Sequence, residues 1–276
     1  MDVLNALILG IVQGLAEYLP ISSSGHLEIF REILGLDLSG ADSLEFDVTL
    51  HIATVLSTIV ILWKEFYPLC TSFFTFRRDE NFNTVIKILI SCIPVGIVGL
   101  FFKDSVEAFF GSGLTVVGVC LLVTAMLLTF SYYFRTSKLN LPGKASYTPR
   151  DISYFDAFVI GLSQAVAVIP GLSRSGTTIA TGLLIGCKQD KVAYFSFLMV
   201  IVPILGQALL DLKDAITAPA ESAAASIGFI PLLVGFLASF IVGCIACKWM
   251  LNIVKRGKLV YFAIYCLIVG VLCLVL

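Results

Sequence analysis

Six apolar runs, at 46–63, 84–102, 114–134, 192–212, 226–247 and 259–276, recur along this 276-residue chain. Crossing the hydrocarbon core as a helix takes about 20 predominantly apolar residues, so a chain with six such runs has lipid as its main solvent. Composition agrees, with 58% hydrophobic and 13% charged residues against about 25% charged in an ordinary soluble domain. The expected fold is an all-α integral membrane protein forming one membrane domain over residues 1–276. The net charge of −1 and the lack of a long basic tract give no reason to expect nucleic acid as a partner. The eight cysteines lie in or beside apolar runs without disulfide or zinc spacing and read as free thiols. The opening MDVLNALILG has neither a basic n-region nor a small-residue cleavage site, so no removable signal peptide is expected.

Two further apolar regions, 3–36 and 156–187, are broken near their middles at LPISSSGH and IPGLSRSG. Irregular backbone at membrane depth is tolerated only where protein encloses it or it lines a cavity. Both regions therefore read as re-entrant helical hairpins. Lys and Arg favour cytoplasmic loops. Loops 64–83, 135–155 and 248–258 are basic, whereas 103–113 and 213–225 carry one lysine each. This alternation places both ends of the second hairpin inside, and both ends of the first hairpin and the C-terminus outside.

Sliding the chain on itself by 151 positions matches Ala6, Gly10, Gln13, Ala16, Ser22, Ser24, Gly25 and Gly35 with Ala157, Gly161, Gln164, Ala167, Ser173, Ser175, Gly176 and Gly186, without a gap. Each copy is a hairpin followed by three spans, an odd number of crossings, which inverts the second copy. The expected plan is an inverted-topology repeat of six transmembrane helices plus two re-entrant hairpins. Repeat one covers 1–134, a cytoplasmic linker 135–155 and repeat two 156–276. Broken helices of such repeats build a site near the midplane. The alternative is that small residues recur in membrane helices for packing alone.

The copies differ where chemistry would matter: Glu17 aligns with Val168, Ser23 with Arg174 and His26 with Thr177. An ionisable residue near the bilayer centre costs about 2.5–3.5 kcal/mol on insertion scales and marks a candidate functional site. Ser173, Ser175, Gly176 and Thr177 surround Arg174, and a Ser/Gly-rich turn opening a helix presents N–H and hydroxyl groups to an anion. The guanidinium fork suits phosphate oxygens, so the second break reads as a phosphate cradle. In the first break, Ser22, Ser24 and Gly25 are the corresponding substrate-binding candidates. Gln13 and Glu17, four apart, project from one helical face and can hold a divalent cation, Mg²⁺ or Ca²⁺, while substrate phosphates complete its shell. His26 is a candidate acid or base, and Ser23 a candidate nucleophile if a base lies within reach. His51, in the first full span, could lie near the pocket, but packing or a helix–helix hydrogen bond is the favoured reading.

At these residues the chain resembles the undecaprenyl-diphosphate phosphatase family, also called bacitracin-resistance proteins. The family's first motif, E/Q-G-L-T/A-E-F/Y-L-P-V/I-S-S-S/T-G-H, stands here as Gln13 through His26, and its second, P-G-x-S-R-S-G, as Pro170 through Gly176. The resemblance extends over nearly the full length, including FDVTLHIATVL at 46–56 and YFSFLMVIVP at 194–203. It implies that Glu17 is the essential carboxylate for metal and catalysis, that Ser23 and His26 belong to the catalytic set, and that Arg174 with its serines binds a diphosphate. The family commonly has Glu where this chain has Gln13, which removes one charge from a two-carboxylate metal site. The implied reaction releases the terminal phosphate of a long polyprenyl diphosphate and leaves the monophosphate carrier of cell-envelope synthesis. The implied location is the bacterial inner membrane, with the site reached from the outer side, and a homodimer is compatible with this reading.

Two other readings remain open at this point. Inverted repeats with broken helices are also the plan of secondary transporters, so the cradle could recognise a phosphate-bearing lipid or ion without cleaving it. Alternatively, Glu17 and Arg174 form a structural ion pair in a non-catalytic scaffold, and exchanging their charges would preserve function.

Overall fold

In a computed structural model, residues 1–36, 40–102, 105–106, 113–139, 149–217 and 227–275 are described. Their helices are α1 (Val3–Ala16), α2 (Ser23–Ile33), α3 (Gly40–Ile61), α4 (Trp63–Phe74), α5 (Glu80–Phe101), α6 (Leu114–Leu139), α7 (Tyr154–Val166), α8 (Arg174–Leu184), α9 (Gln189–Met199), α10 (Ile201–Thr217), α11 (Phe229–Lys255) and α12 (Val260–Val275). Among the described residues, four stretches are long and apolar enough to cross a membrane: Glu80–Phe101, Leu114–Phe134, Gln189–Leu210 and Phe229–Val254. Glu45–Ile61 and Trp63–Phe74, bent by 91° at Leu62, pass the same test only when taken together. The run expected at 259–276 is the 16-residue α12, shorter than the roughly 20 residues a perpendicular span needs. Within the cytoplasmic linker expected at 135–155, residues 140–148 lie outside the described residues, as do most of the loops at 103–113 and 213–225.

Polarity runs opposite to that of a soluble domain. Phe74, Phe101, Phe229 and Val275 are each more than three-quarters exposed, while Gln13, Ser57, Ser91, Thr124 and Ser239 are fully buried. Such an apolar surface over a partly polar interior is stable when hydrocarbon covers it. Burying each hydroxyl without a partner would be costly, and most turn back on their own helix. Ser91 donates to Ile88 O at 2.6 Å, Thr124 to Cys120 O at 3.0 Å and Ser57 to Thr54 O at 2.9 Å.

The 151-residue shift maps helix ends as well as residues. It carries Val3–Ala16 onto 154–167, against α7 at Tyr154–Val166, and Ser23–Ile33 onto Arg174–Leu184, which is α8. The caps follow. Asp2 and Ser153 cap α1 and α7, and Ser22 and Ser173 cap α2 and α8 through Gly25 N–H and Gly176 N–H. After α2, Gly35 takes φ +61° and Leu36 N–H donates to Arg31 O; after α8, Gly186 takes φ +96° and Cys187 N–H donates to Gly182 O. Both are glycine-terminated ends in which the left-handed residue closes the last turn.

Packing partners also exchange. α1 lies against α11, and its counterpart α7 against α5. A Cβ at Gly10 would stand 2.5 Å from Gly235 O, and one at the equivalent Gly161 would collide with Ser91 O. The two glycines let helix backbones touch, as small residues do at membrane helix crossings. α6 packs on α12, and α3 also packs on α11. The bent pair α3–α4 and the near-continuous α9–α10 occupy the third place in each half. Pro203 has no N–H for Met199 O, so the chain breaks at Val200 and that carbonyl accepts from Cys92 Sγ at 3.6 Å.

Candidate active site

Both broken regions end a helix at an apolar, proline-containing turn and restart it at a serine cap, and the two turns pack directly on each other. A Cβ at Gly25 would meet Gly171 Cα at 3.0 Å, and one at Gly176 would meet Pro20 Cβ at 3.2 Å. Ser175 Oγ donates to Leu19 O at 3.3 Å, and its counterpart Ser24 accepts from Gly171 N–H at 3.4 Å. Within each break the cap serine faces the serine two residues on: Ser22 Oγ and Ser24 Oγ are 3.3 Å apart, and Ser173 Oγ and Ser175 Oγ 3.4 Å apart. The N-termini of α2 and α8 thus share one small polar region. Ser22 reaches its place with φ +72°, a backbone conformation that disfavours residues with a side chain.

Glu17 is the last residue of α1's final turn, its N–H donating to Gln13 O. A carboxylate there faces the negative end of the helix dipole, and three donors, from Ser23, Arg174 and Gln13, offset that cost. Ser23 Oγ donates to Oε2 at 2.6 Å and Arg174 Nη2 to Oε1 at 3.0 Å. Ser23 and Arg174 are equivalent under the 151-residue shift, each the first residue of its helix, and they hold the two oxygens of one carboxylate. Gln13 Nε2 donates to Oε2 at 3.0 Å, while Gln13 Oε1 is buried without a hydrogen-bond partner. His51 Nε2 is 3.7 Å from Oε2, and its Nδ1 donates to Asp47 O at 2.7 Å.

His26 is buried on α2, one turn beyond Ser23, with its ring nitrogens engaged elsewhere. Nδ1 donates to Ser22 O at 2.8 Å, Nε2 pairs with Tyr265 Oη at 2.7 Å, and the two rings stack at 5.6 Å. Thr177, its counterpart, is buried with Oγ1 unpartnered. Of the two imidazoles, the one beside Glu17 is that of His51, which packing and spacing did not single out. Behind the ion pair lies a cavity of about 20 Å³, lined by Glu17, Tyr18, Gln164, Arg174, Thr178 and Ser196 among others, room for roughly one water. Gln164 Nε2 and Ser196 Oγ are buried there without partners. Tyr18 fixes the first turn to α3, donating to Thr54 O at 2.6 Å and contacting the hydroxyls of Ser57 and Thr58. Gln164 was visible only as a repeat match, and Tyr265, some 240 residues from His26, left no local signal.

Among the described residues no three His, Cys, Asp or Glu side chains group into a metal site. The donors present are one carboxylate and the unpartnered Gln13 Oε1. They suit a hard divalent cation in an open site whose remaining ligands come from substrate.

A protein of Bacteroides fragilis named undecaprenyl-diphosphatase is 56% identical over 275 residues, covering 100% of this chain and 98% of its own. One of the same name from Parabacteroides distasonis is 56% identical over 270 residues, covering 98% of this chain and 96% of its own. A third, from Oceanobacillus iheyensis, is 39% identical over 280 residues, covering 99% and 96%. The family model described as bacitracin resistance protein BacA matches residues 6–272, and with both of its motifs gathered around one buried carboxylate the chain belongs to that family.

Proposed function

We propose that this protein is a membrane-embedded phosphatase that converts undecaprenyl diphosphate to the monophosphate and inorganic phosphate. The observation that carries the reading is the convergence of Ser23 Oγ and Arg174 Nη2 on the two oxygens of Glu17, together with relatives whose name states that reaction. The ordering favours bond cleavage over transport. A serine whose proton is already directed at a carboxylate 2.6 Å away is arranged for proton removal, which carrying a phosphate does not need.

On this reading Arg174 leaves Glu17 for the terminal phosphate and neutralises its developing charge, while hydroxyls of Ser173, Ser175 and Thr177 and N–H groups opening α8 and α2 hold its oxygens. Glu17, freed of the guanidinium, takes the proton of Ser23, whose oxygen bonds to the terminal phosphorus as undecaprenyl monophosphate leaves and from which a water then releases phosphate, or takes the proton of a water that attacks in its place. Ser22, Ser24 and Gly25 shape the opposite wall, and His26, once protonated and released from Tyr265 Oη, would supply the proton of the leaving group. Phosphoryl transfer needs chiefly positioning and charge neutralisation. Gln13 and Glu17 would hold a divalent cation, Mg²⁺ or Ca²⁺, which when bound supplies further neutralisation of phosphate charge.

We also read the two halves as an inverted-topology duplication, repeat one 1–134 and repeat two 156–276 in one membrane domain. The coincident helix bounds, caps and exchanged packing partners support this. Neither arm of a hairpin, 14 and 11 residues in the first, reaches the roughly 20 residues of a span, which supports re-entrant hairpins meeting in the bilayer. The polyprenyl tail then stays in lipid while its head enters between the halves, from the outer face of a bacterial inner membrane. The test is phosphate release from undecaprenyl diphosphate by purified protein in detergent. Release that disappears in Arg174→Ala is expected. Pure, folded wild-type protein that binds the lipid and releases no phosphate would establish the transport reading instead.

A further inference from the structure

Resting on the divalent-cation reading above, we propose that His51 is a third protein ligand of that cation, its nitrogen joining the oxygens of Gln13 and Glu17. The argument starts from the tautomer. The backbone carbonyl of Asp47 can only accept, so His51 Nδ1, 2.7 Å from it, carries a proton, and in the neutral ring Nε2 presents its lone pair toward Glu17. Metal-bound imidazoles are oriented in this way, one nitrogen donating to a carbonyl or carboxylate so that the other faces the ion.

The separation of Nε2 from Glu17 Oε2 is 3.7 Å, beyond hydrogen-bond length. It is the separation expected of two donors sharing one ion, since bonds of about 2.0–2.2 Å to each place them roughly 3–4 Å apart. An independent observation comes from the other side of the carboxylate. Gln13 is fully buried, and its Oε1 has no hydrogen-bond partner although its Nε2 is 3.0 Å from the same Glu17 Oε2. A half-turn of the amide presents that oxygen where the nitrogen now stands. An amide oxygen and a carboxylate oxygen so close repel each other unless a cation lies between them. Gln13, Glu17 and His51 thus offer an oxygen–oxygen–nitrogen set from the C-terminal end of α1 and from α3.

The chain carries glutamine where a carboxylate is common in the resembling family, so a site of oxygen ligands alone has one negative charge, and Arg174 cancels it. His51 adds affinity through a bond that does not depend on net charge.

The test uses Mn²⁺ alone on the purified full-length protein, read by electron spin-echo envelope modulation, which detects nitrogen bound to the ion. A ¹⁴N signal that converts to the ¹⁵N pattern on labelling with ¹⁵N-histidine is expected. The chain has two histidines, so the signal should persist in His26→Gln and vanish in His51→Gln, with Mn²⁺ affinity falling about 10-fold or more. The His26→Gln arm assigns the ligand without altering His51, so a misfolded His51→Gln protein leaves the test intact. Mn²⁺ that binds in a Glu17-dependent way without histidine modulation, or with modulation that survives in folded His51→Gln, overturns His51 ligation and leaves the cation reading standing. Wild-type protein that binds no Mn²⁺ and releases phosphate at full rate in excess chelator overturns both.

Discussion

At the scale of residues, the site is held by one carboxylate answering to two halves of the chain. Replacing Glu17 by Ala leaves the Arg174 guanidinium facing a partly buried vacancy, and losing one member of a buried pair costs about 3–5 kcal/mol. Glu17→Gln keeps the volume and one acceptor, so it should unfold at a temperature nearer wild type while phosphate release falls by at least about 10²–10³-fold, the scale seen when a charge-stabilising group is removed. Thermal unfolding in detergent alongside the rate assay separates the two effects; parallel losses in both would mean that Glu17 acts only structurally. Ser22 gives a second residue-level prediction. It combines a positive φ with a side chain capping α2. Ser22→Gly loses the cap and relieves the backbone, whereas Ser22→Ala loses the cap and keeps the strain. Ala should therefore destabilise more than Gly, by roughly 1–2 kcal/mol, and the reverse order of melting temperatures would refute the strain argument.

At this scale the sequence was most informative where the two copies diverge. Glu17, Ser23 and Arg174 stand out because a membrane does not tolerate them without a reason, and all three meet. His51 and Tyr265 did not stand out, because a single imidazole or phenol in an apolar helix has many bland explanations. Only the third dimension brings them to Glu17 and His26.

Elements are legible in the chain to the extent that their ends carry chemical signals. The hairpin helices are framed by serine caps and glycine termini, and the same signals recur 151 residues later, so their bounds could be read twice. α4 was expected as part of a loop at 64–83. Its twelve residues, with Pro68 inside and Lys64 and Glu65 in the first turn, are too few and too polar for a span, and it turns 91° away from α3 with Trp63 and Tyr67 exposed. Aromatic side chains of this kind settle at membrane interfaces. The loop that follows is closed by Asp79, whose carboxyl is held below the usual carboxylate range by the N–H of Phe82, with help from Ser72 and Arg77. A lowered carboxyl contributes stability above its unfolded value of about 3.9 and loses it as pH falls through the folded one. The melting-temperature gap between wild type and Asp79→Ala should thus be full near neutrality and shrink below about pH 4; a gap that widened in acid would contradict this assignment.

Helix crossings supply a further prediction at the same scale. Gly10 and Gly161 each bring a backbone carbonyl against the position a Cβ would take, whereas Gly99 has open space around it. Gly10→Ala and Gly161→Ala should destabilise by about 1–3 kcal/mol, as overpacking does, and Gly99→Ala should not. Equal melting temperatures for all three variants would show that the crossings are looser than these distances indicate.

For the whole molecule, apolar run length and loop charge are enough to indicate a membrane protein, and the self-match is enough to indicate two related halves. The number of spans is less legible, because the third element of each half is broken, at Leu62 and at Val200, and α12 is short. The functional consequence of the two-fold plan is that the halves contribute opposite charges to one point, a carboxylate from the first and a guanidinium from the second. A scaffold tied by this ion pair would be indifferent to which half supplies which charge. A phosphatase would not, since only the guanidinium can neutralise phosphate and only the carboxylate can accept the proton of Ser23. The decisive measurement is therefore the initial rate of phosphate release from undecaprenyl diphosphate by purified wild type and by the double variant Glu17→Arg, Arg174→Glu, with folding of the latter checked by thermal unfolding. Release by wild type and none by the folded double variant is the predicted result, and release restored by the exchange would contradict the assignment of the site.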